Sequence, residues 1–358
     1  MTKNTSRKSK LGLREIASAA QVSIATVSRV LNGSTRVDPA IRQSVLAAAA
    51  ELDIDLTERN KSKALAFLLS NRPRQHVFHS NILLGAESYC ATRGWEVVFQ
   101  ALSYPPQSPG KELHLPKVVR RHDIVRGVIL AGTNSPNLLE QLSNQRIPFV
   151  VLGNNVIGGI EDLNCDVVFS DDIRGGQDMT RHLVSLGHRH IWFVGNTRLP
   201  WFARCCEGYR RAMEEAGFEA RVSSIDSEDE IEIGYLGTKS LLARSEPVTA
   251  IFAGNDPTAH GVYKALRDSG LEIPDDVSVV GCDDTVGCWL YPALTTIREF
   301  PEQLGKKMVE LLANRIASPN EERQEVIVPT EIIKRDSCRP ILLSDNAAFA
   351  ASLQNTAV

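Results

Sequence analysis

Residues 22–33 have the sequence VSIATVSRVLNG, and this stretch says most about the fold of the N-terminal region. Ser23 is a favourable N-cap for a helix over residues 24–32, and Gly33 is a residue type that often follows a helix. The run LREIASAA, residues 13–20, has apolar side chains at helical spacing and is separated from this helix by a short connector. Two short helices joined by a tight turn are typical of a helix-turn-helix, whose second helix lies in the major groove of DNA.

A third helix is predicted over residues 39–52, PAIRQSVLAAAAEL. Asp38 as N-cap and Pro39 at the first helical position are strong signals for a helix start. Four apolar residues are expected on the inner side of this helix: Ile41, Val45, Leu46 and Leu52. The pattern predicts a three-helix DNA-binding domain over residues 11–52, preceded by a basic, disordered arm of residues 1–10.

Charge is distributed unevenly along the chain. Residues 1–63 carry a net charge of +5, whereas the remaining residues carry −8. A basic head on an acidic body indicates a polyanionic partner for the head alone. On charge alone, a solvated basic tail is an equal alternative.

Composition favours a soluble protein of two or three domains, since the chain has 358 residues and no apolar run approaches 18 residues. The polar N-terminus lacks the apolar segment of a secretory signal. The seven cysteines form no CxxC pair and no metal-type pairing with histidine. We therefore expect a cytoplasmic protein with reduced thiols and no bound metal.

From residue 65 onward, short apolar runs alternate with amphipathic helical patterns. Eight strands are predicted: 65–69, 95–100, 127–131, 149–153, 166–170, 190–195, 250–254 and 277–283. Such alternation predicts parallel sheets covered by helices on both faces, and the length favours two α/β lobes. This body is expected over residues 65–343, after a polar linker at 53–64 and before a disordered tail at 344–358.

The second helix carries the residues expected to contact DNA. Its first turns place Ile24, Ala25 and Arg29 toward base edges, where Arg29 could bind a guanine through two hydrogen bonds. The hydroxyl groups of Ser23, Thr26 and Ser28 can donate hydrogen bonds to phosphate oxygens. The full predicted set is Ser23, Ile24, Ala25, Thr26, Ser28, Arg29, Asn32 and Arg42. The alternative is a plain three-helix subdomain whose hydroxyl groups only cap helices.

Residues 22–33 closely resemble the signature of the lac repressor family, roughly V-S-x-x-T-V-S-R-x-L-N. Further segments resemble the family in the expected order, among them HLVSLGHRHIWFVG (182–195), IFAGNDPTAHGVYKAL (251–266) and IPDDVSVVGCDD (273–284). The resemblance spans roughly residues 11–340. It implies a two-lobed fold like that of periplasmic sugar-binding proteins, dimerisation through the body, and transcriptional regulation.

Two features depart from the family pattern. Gln21 stands where the turn usually has glycine, so the turn geometry is expected to differ slightly. The linker is short and polar, and Leu56 is the only candidate for the leucine that family members insert into the minor groove. Arg59, Lys61 and Lys63 could contact phosphates instead.

The resemblance implies an effector site between the lobes, at the carboxyl ends of strands. Asn255, Asp256 and Asp283 end or follow predicted strands, although Asp256 is as well explained by helix capping. The loop with Phe78, His79 and Ser80 matches the family's first effector loop. Two further residues complete the predicted site, each with an open alternative: Trp201, as a stacking surface or a core residue, and Arg204, as a ligand contact or an ion-pair partner.

The sequence contains no GxSxG, P-loop or HExxH motif, so we expect neither an enzyme nor a cofactor. A solute-binding protein is disfavoured by the missing signal segment. The predicted function is that of a cytoplasmic transcriptional regulator, in its simplest form a repressor. It would bind a pseudo-palindromic DNA operator as a homodimer and respond to a small molecule, most simply a sugar.

Overall fold

The computed structural model describes residues 13–31, 37–52, 64–158, 165–244 and 246–341. Several predicted features lie outside these residues: the arm at 1–10, Asn32, residues 53–63 of the linker, and the tail at 344–358. The chain divides into two compact units, a head of helices and a body that contains two sheets. Each is described by itself.

The head contains three helices: α1 at 13–19, α2 at Ile24–Leu31 and α3 at Pro39–Glu51. The start signals act as predicted, because Ser23 Oγ accepts from the Thr26 amide at 3.1 Å and Asp38 Oδ1 accepts from the Ala40 amide at 2.8 Å. Eight residues form its core: Ile16, Ala17, Ala20, Val27, Val30, Val45, Ala48 and Ala49.

The inner side of α3 differs from the prediction. Val45 is buried as expected, but Ile41, Leu46 and Leu52 are exposed, and Ala48 and Ala49 take their place. Residues 45, 48 and 49 form one i, i+3, i+4 stripe, and their small side chains fill the inner face of this helix. The larger apolar residues fall outside that stripe, since each residue turns the helix by about 100°.

Gln21 lies in the left-handed region, with φ of 51°. The turn between α1 and α2 therefore has a backbone conformation that glycine adopts without strain. At Gln21 this conformation is strained, because the side chain has a Cβ atom that glycine lacks.

The first lobe of the body is built on a six-stranded sheet with the order β11-β5-β4-β3-β1-β2. Its strands are β1 (Ala64–Ser70), β2 (Glu96–Leu102), β3 (Val125–Gly132), β4 (Phe149–Leu152), β5 (Asp166–Ser170) and β11 (Glu325–Val328). Its helices are α4 (Val77–Thr92), α5 (Pro136–Asn144) and α10 (Pro301–Ala317). Strand β1 is buried along its whole length, as a parallel strand covered on both faces requires.

The second lobe repeats this plan with the order β12-β10-β9-β8-β6-β7, in which only β12 runs antiparallel to its neighbour. Its strands are β6 (Ile191–Gly195), β7 (Arg221–Ser224), β8 (Ala250–Ala253), β9 (Ser278–Asp283), β10 (Thr295–Arg298) and β12 (Glu331–Ile333). Its helices are α6 (Asp172–Ser185), α7 (Pro200–Glu215), α8 (Glu230–Leu242) and α9 (Asp256–Arg267). The two-lobed α/β architecture with parallel sheets is confirmed.

The chain crosses between the lobes three times: from β5 to α6, from β10 to α10, and from β11 to β12. The first two crossings place Asp172 and Glu299 where the two lobes meet. All eight predicted strands are present. The four strands that the sequence analysis missed (β7, β10, β11 and β12) have three or four residues each, too few for a clear apolar pattern.

Within the part of the chain that the structure describes, none of the helices has the length and apolar character needed to cross a membrane.

Candidate functional site

A cavity lies between the two lobes, at the carboxyl ends of their strands. The space measures about 460 Å³ when the open solvent at its mouth is included. We call it the inner cavity. Fourteen residues line it: Arg72, His76, Phe78, His79, Asn154, Asn155, Asp172, Trp201, Glu230, Gly254, Asn255, Cys282, Asp283 and Glu299.

The first lobe contributes a chain of hydrogen-bonded side chains to the inner cavity. Asn155 Nδ2 lies 3.0 Å from His79 Nε2, and His79 Nδ1 lies 3.2 Å from His76 Nδ1. Burial, with the nearby charges of His76 and Arg72, lowers the pKa of His79 well below its usual value. His79 is therefore neutral, and it carries its proton on Nδ1 because Nε2 accepts from the Asn155 amide.

The second lobe contributes Asn255 and Asp283 from the ends of adjacent strands. Asn255 caps α9, its Oδ1 accepting from the Thr258 amide at 3.0 Å, while its side chain also hydrogen-bonds Glu230. Asp283 has φ of 94°, and its Oδ1 accepts from the Thr285 amide and hydroxyl at 3.0 and 2.5 Å. Its second carboxylate oxygen has no hydrogen bond among the contacts of the described residues.

Buried carboxyl groups dominate the electrostatics of the inner cavity. Burial raises the pKa of Asp172 to about 6, although Arg204 Nε contacts this side chain at 2.8 Å and favours its charged form. Burial and the charge of Asp172 raise the pKa of Glu299 to about 7. The pKa of Asp283 lies well above its usual value through burial and through the Asp256 and Glu299 carboxylates. Ligand groups that donate hydrogen bonds to carboxylates would relieve these costs.

Five of the eight predicted effector residues line the inner cavity: Phe78, His79, Trp201, Asn255 and Asp283. Phe78, His79 and Ser80 lie in the first turn of α4 rather than in a loop, and Trp201 lies in the first turn of α7. The other three are placed differently. Ser80 is exposed, and neither it nor Asp256 or Arg204 is among the lining residues.

Asp256 and Arg204 are not among the residues that line the inner cavity. Asp256 is fully buried and accepts hydrogen bonds from Thr296 Oγ1 at 2.5 Å and from the Gly287 amide at 2.8 Å. It holds the loop after β9 and does not cap α9, which Asn255 caps. Arg204 pairs with Asp172, and its guanidinium carbon lies 4.7 Å from the centre of the Phe169 ring. Of the two, Arg204 therefore contacts a group that faces the cavity, whereas the partners of Asp256 are not lining residues.

The sequence analysis missed several lining residues, among them Arg72, Asn154, Asp172, Glu230 and Glu299. The first three follow the strands β1, β4 and β5, so the rule that polar residues at strand ends face the ligand could have found them. Glu230 begins a helix and Glu299 follows a short strand that was not predicted. No sequence signal singles these two out.

In the head, α2 presents one exposed face. Val27 and Val30 point into the core, whereas Ile24, Ala25 and Arg29 are exposed, as reading of base edges requires. Ser23, Thr26 and Ser28 lie at the start of α2 or within it with partial or full exposure, and Arg42 of α3 is partly exposed. Ser23 Oγ and Thr26 Oγ1 lie 2.9 Å apart, so capping accounts for part of what these hydroxyl groups do.

No group of three or more His, Cys, Asp or Glu side chains with the geometry of a metal site occurs among the described residues.

Comparisons with known proteins match both parts of the chain. Residues 12–54 match the profile of bacterial regulatory proteins of the lacI family, and residues 180–338 match a periplasmic binding protein-like domain. The Ribose operon repressor of Haemophilus influenzae is 30% identical over 336 residues, covering 91% of this chain and 98% of that protein. The transcriptional regulator CelR of Thermobifida fusca is 30% identical over 338 residues, covering 91% and 97%.

Solved structures of transcriptional regulators are also similar to this chain. A complex of the regulator CelR with cellobiose is 28% identical with a TM-score of 0.67, covering 91% of this chain and 99% of that one. A regulator from Enterococcus faecium with bound ribose is 27% identical with a TM-score of 0.65, covering 77% and 100%. A lac repressor dimer bound to operator, 23% identical with a TM-score of 0.66 and covering 90% and 98%, shares the fold.

Proposed function

Because the chain belongs to the lac repressor family of DNA-binding transcriptional regulators controlled by small-molecule effectors, we propose that it is a repressor whose effector is a sugar. In this proposal the protein acts in the cytoplasm as a homodimer on a pseudo-palindromic operator, and no catalytic step takes place. The domain limits are those expected from the sequence, with a DNA-binding domain at 11–52, a linker at 53–64 and an effector-binding body at 65–343.

The observation that carries the sugar proposal is the lining of the inner cavity, which combines aromatic faces with buried carboxyl and amide groups. Phe78 and Trp201 offer flat apolar surfaces to a sugar ring. Asp283 and Glu299 can accept hydrogen bonds from ring hydroxyl groups, and Asn155 and Asn255 can both donate and accept. The solved relatives with bound ribose and cellobiose support the same class of ligand.

Roles for the other predicted residues follow from their surroundings. His79 would contact the effector as a neutral imidazole, Arg204 positions the carboxyl group of Asp172, and Asp256 holds the loop after β9. In the head, Ile24, Ala25 and Arg29 would read bases. The phosphate-contacting set in this proposal is Ser23, Thr26, Ser28, Asn32 and Arg42.

Two measurements test the proposal with the full chain. Selection of bound sequences from a random double-stranded DNA library should enrich one pseudo-palindromic site. Thermal unfolding with D-ribose, other pentoses and hexoses, cellobiose, nucleosides and purines should show stabilisation by a sugar, about 2.7 kcal/mol at 100 times its Kd. Failure to enrich any sequence would contradict the proposal that the protein binds a specific operator. Stabilisation by a purine alone would contradict the proposal that the effector is a sugar.

A further inference from the structure

The inner cavity adjoins a larger, more open space between the lobes, which we call the outer cleft. The outer cleft measures about 1750 Å³ including open solvent. Four residues line both spaces: Arg72, His76, Trp201 and Glu230. These four residues therefore stand at the passage from the outer cleft into the inner cavity.

Contacts between these residues join the two lobes across the passage. Arg72, just after β1 of the first lobe, places Nη1 at 3.3 Å from Glu230 Oε1, at the start of α8 of the second lobe. His76 Nε2 lies 3.5 Å from Glu230 Oε2. The guanidinium carbon of Arg72 stacks over the Trp201 ring at 3.9 Å from its centre. The side chains of Arg72 and Glu230 are each only 9% exposed.

The same residues retain unused hydrogen-bonding capacity. Arg72 Nε is buried and has no hydrogen-bond partner among the described residues, while His76 Nε2 has only the 3.5 Å contact with Glu230 Oε2. Buried polar atoms without partners destabilise a folded protein unless something else satisfies them. A ligand in the adjoining inner cavity can supply the missing acceptor.

We propose that Arg72, Trp201 and Glu230 form a gate that closes the inner cavity and restricts the effector to a single sugar ring. This inference rests on the proposed function, since it takes the inner cavity as the sugar site. A ligand with a second ring would have to pass between Arg72 and Glu230. It would then break a buried ion pair and the stacking on Trp201 together, leaving buried charges without partners.

The first experiment needs no ligand. A double-mutant cycle on the full chain combines Arg72→Met with Glu230→Gln and measures the melting temperature of each variant. If the gate is closed in the free protein, each single change lowers the melting temperature by several degrees, and the double variant melts no lower than the worse single variant. Strictly additive losses would show that the two side chains do not interact, and would overturn the gate.

The matched control is the exposed pair Arg198 and Asp226 of the second lobe, whose side chains are 75% and 67% exposed. Arg198→Met and Asp226→Asn should change the melting temperature little, alone or together. A coupling as large as that of Arg72 with Glu230 would mean that the cycle does not report a buried contact, and would remove the support for the gate.

The second experiment tests the size limit with matched sugars. Binding of D-ribose, D-glucose and D-galactose is compared with binding of cellobiose, maltose and lactose, by calorimetry, for the wild-type protein and Glu230→Gln. We expect single-ring sugars alone to bind the wild type, and Glu230→Gln to gain at least tenfold in relative affinity for a two-ring sugar. Tighter binding of a two-ring sugar by the wild type would overturn the size limit.

The two experiments separate this inference from the function on which it rests. If none of the six sugars binds, the sugar proposal loses its support, while the double-mutant cycle still decides whether Arg72 and Glu230 hold the passage closed. If a sugar binds and the effects in the double-mutant cycle are additive, the sugar site is supported and the gate is contradicted.

Discussion

Glu299 and Asp172 lie on two different crossings between the lobes, and their carboxyl groups face the same buried space. Burial, followed by the charge of Asp172, raises the pKa of Glu299 to about 7, while the Cys282 thiol donates to Glu299 Oε1 at 3.1 Å. Arg204 compensates Asp172, but Glu299 has no cation of its own among the ion pairs of the described residues. The junction of the lobes therefore carries a carboxyl group that favours its protonated form.

This protonation makes the stability of the body depend on pH. Because the pKa of Glu299 is higher in the folded chain, its stabilising contribution is present below about pH 4.5 and is lost as the pH rises through 7. Glu299→Gln cannot lose a proton at this position. The difference in stability between this variant and the wild type should therefore shift in favour of the variant by on the order of 2 kcal/mol from pH 5 to pH 8. Melting temperatures of both proteins at the two pH values measure the effect.

Glu302→Gln, which changes an exposed residue in the first turn of α10, is the control and should show no such dependence. A difference between Glu299→Gln and wild type that stays constant from pH 5 to pH 8 would contradict the raised pKa.

Gln21 offers a prediction about the head. Its left-handed backbone is strained for a residue with a Cβ, so Gln21→Gly should stabilise the head by about 1 kcal/mol. Amide hydrogen exchange of residues 13–31 should then slow by about fivefold. The same substitution at Gln43, an exposed position inside α3, should speed exchange in the head because glycine weakens a helix interior. Equal changes in exchange rate for Gln21→Gly and Gln43→Gly would contradict the inference that the backbone at Gln21 is strained.

We expect Arg29 to contact base edges of the operator and not only its phosphate groups. Arg29→Ala should weaken binding to the selected DNA site by about 1–3 kcal/mol and leave binding to a scrambled site nearly unchanged. Arg14→Ala, which removes an exposed cation from α1, should affect both DNA molecules alike. Fluorescence anisotropy with the two labelled duplexes measures the difference. Parallel losses on both duplexes for Arg29→Ala would assign this residue to the phosphate backbone.

Arg204 and Asp172 should behave as a dependent pair. Arg204→Ala leaves the buried Asp172 carboxyl without its cation and should destabilise the body by about 3 kcal/mol. Adding Asp172→Asn should recover most of this loss, since the uncompensated charge is then absent. Chemical denaturation of the three variants checks the recovery. Arg174→Ala, which breaks an exposed pair with Asp178, should have little effect. If the double variant is less stable than Arg204→Ala, the pairing is not what holds Asp172.

Local sequence signals determined the head and most of the sheets. Ser23 and Asp38 accept hydrogen bonds from amides two or three residues away, so their capping role depends on neighbours that the sequence displays. Long strands such as β1 show continuous apolar runs because both faces are buried. The placement of polar residues at strand ends likewise pointed to Asn255 and Asp283 in the inner cavity.

The tertiary structure alone decided how residues distant in sequence combine. Asp256 and Asp283 both lie at the ends of strands. Asp256 nevertheless accepts a hydrogen bond from the loop after β9, whereas Asp283 lines the inner cavity. Arg72 and Glu230 are 158 positions apart and belong to different lobes, and nothing in either local pattern indicates that they meet. Contacts of this kind depend on how the lobes pack, because a side chain's partner is set by distance in space, whereas caps and strands are set by distance along the chain.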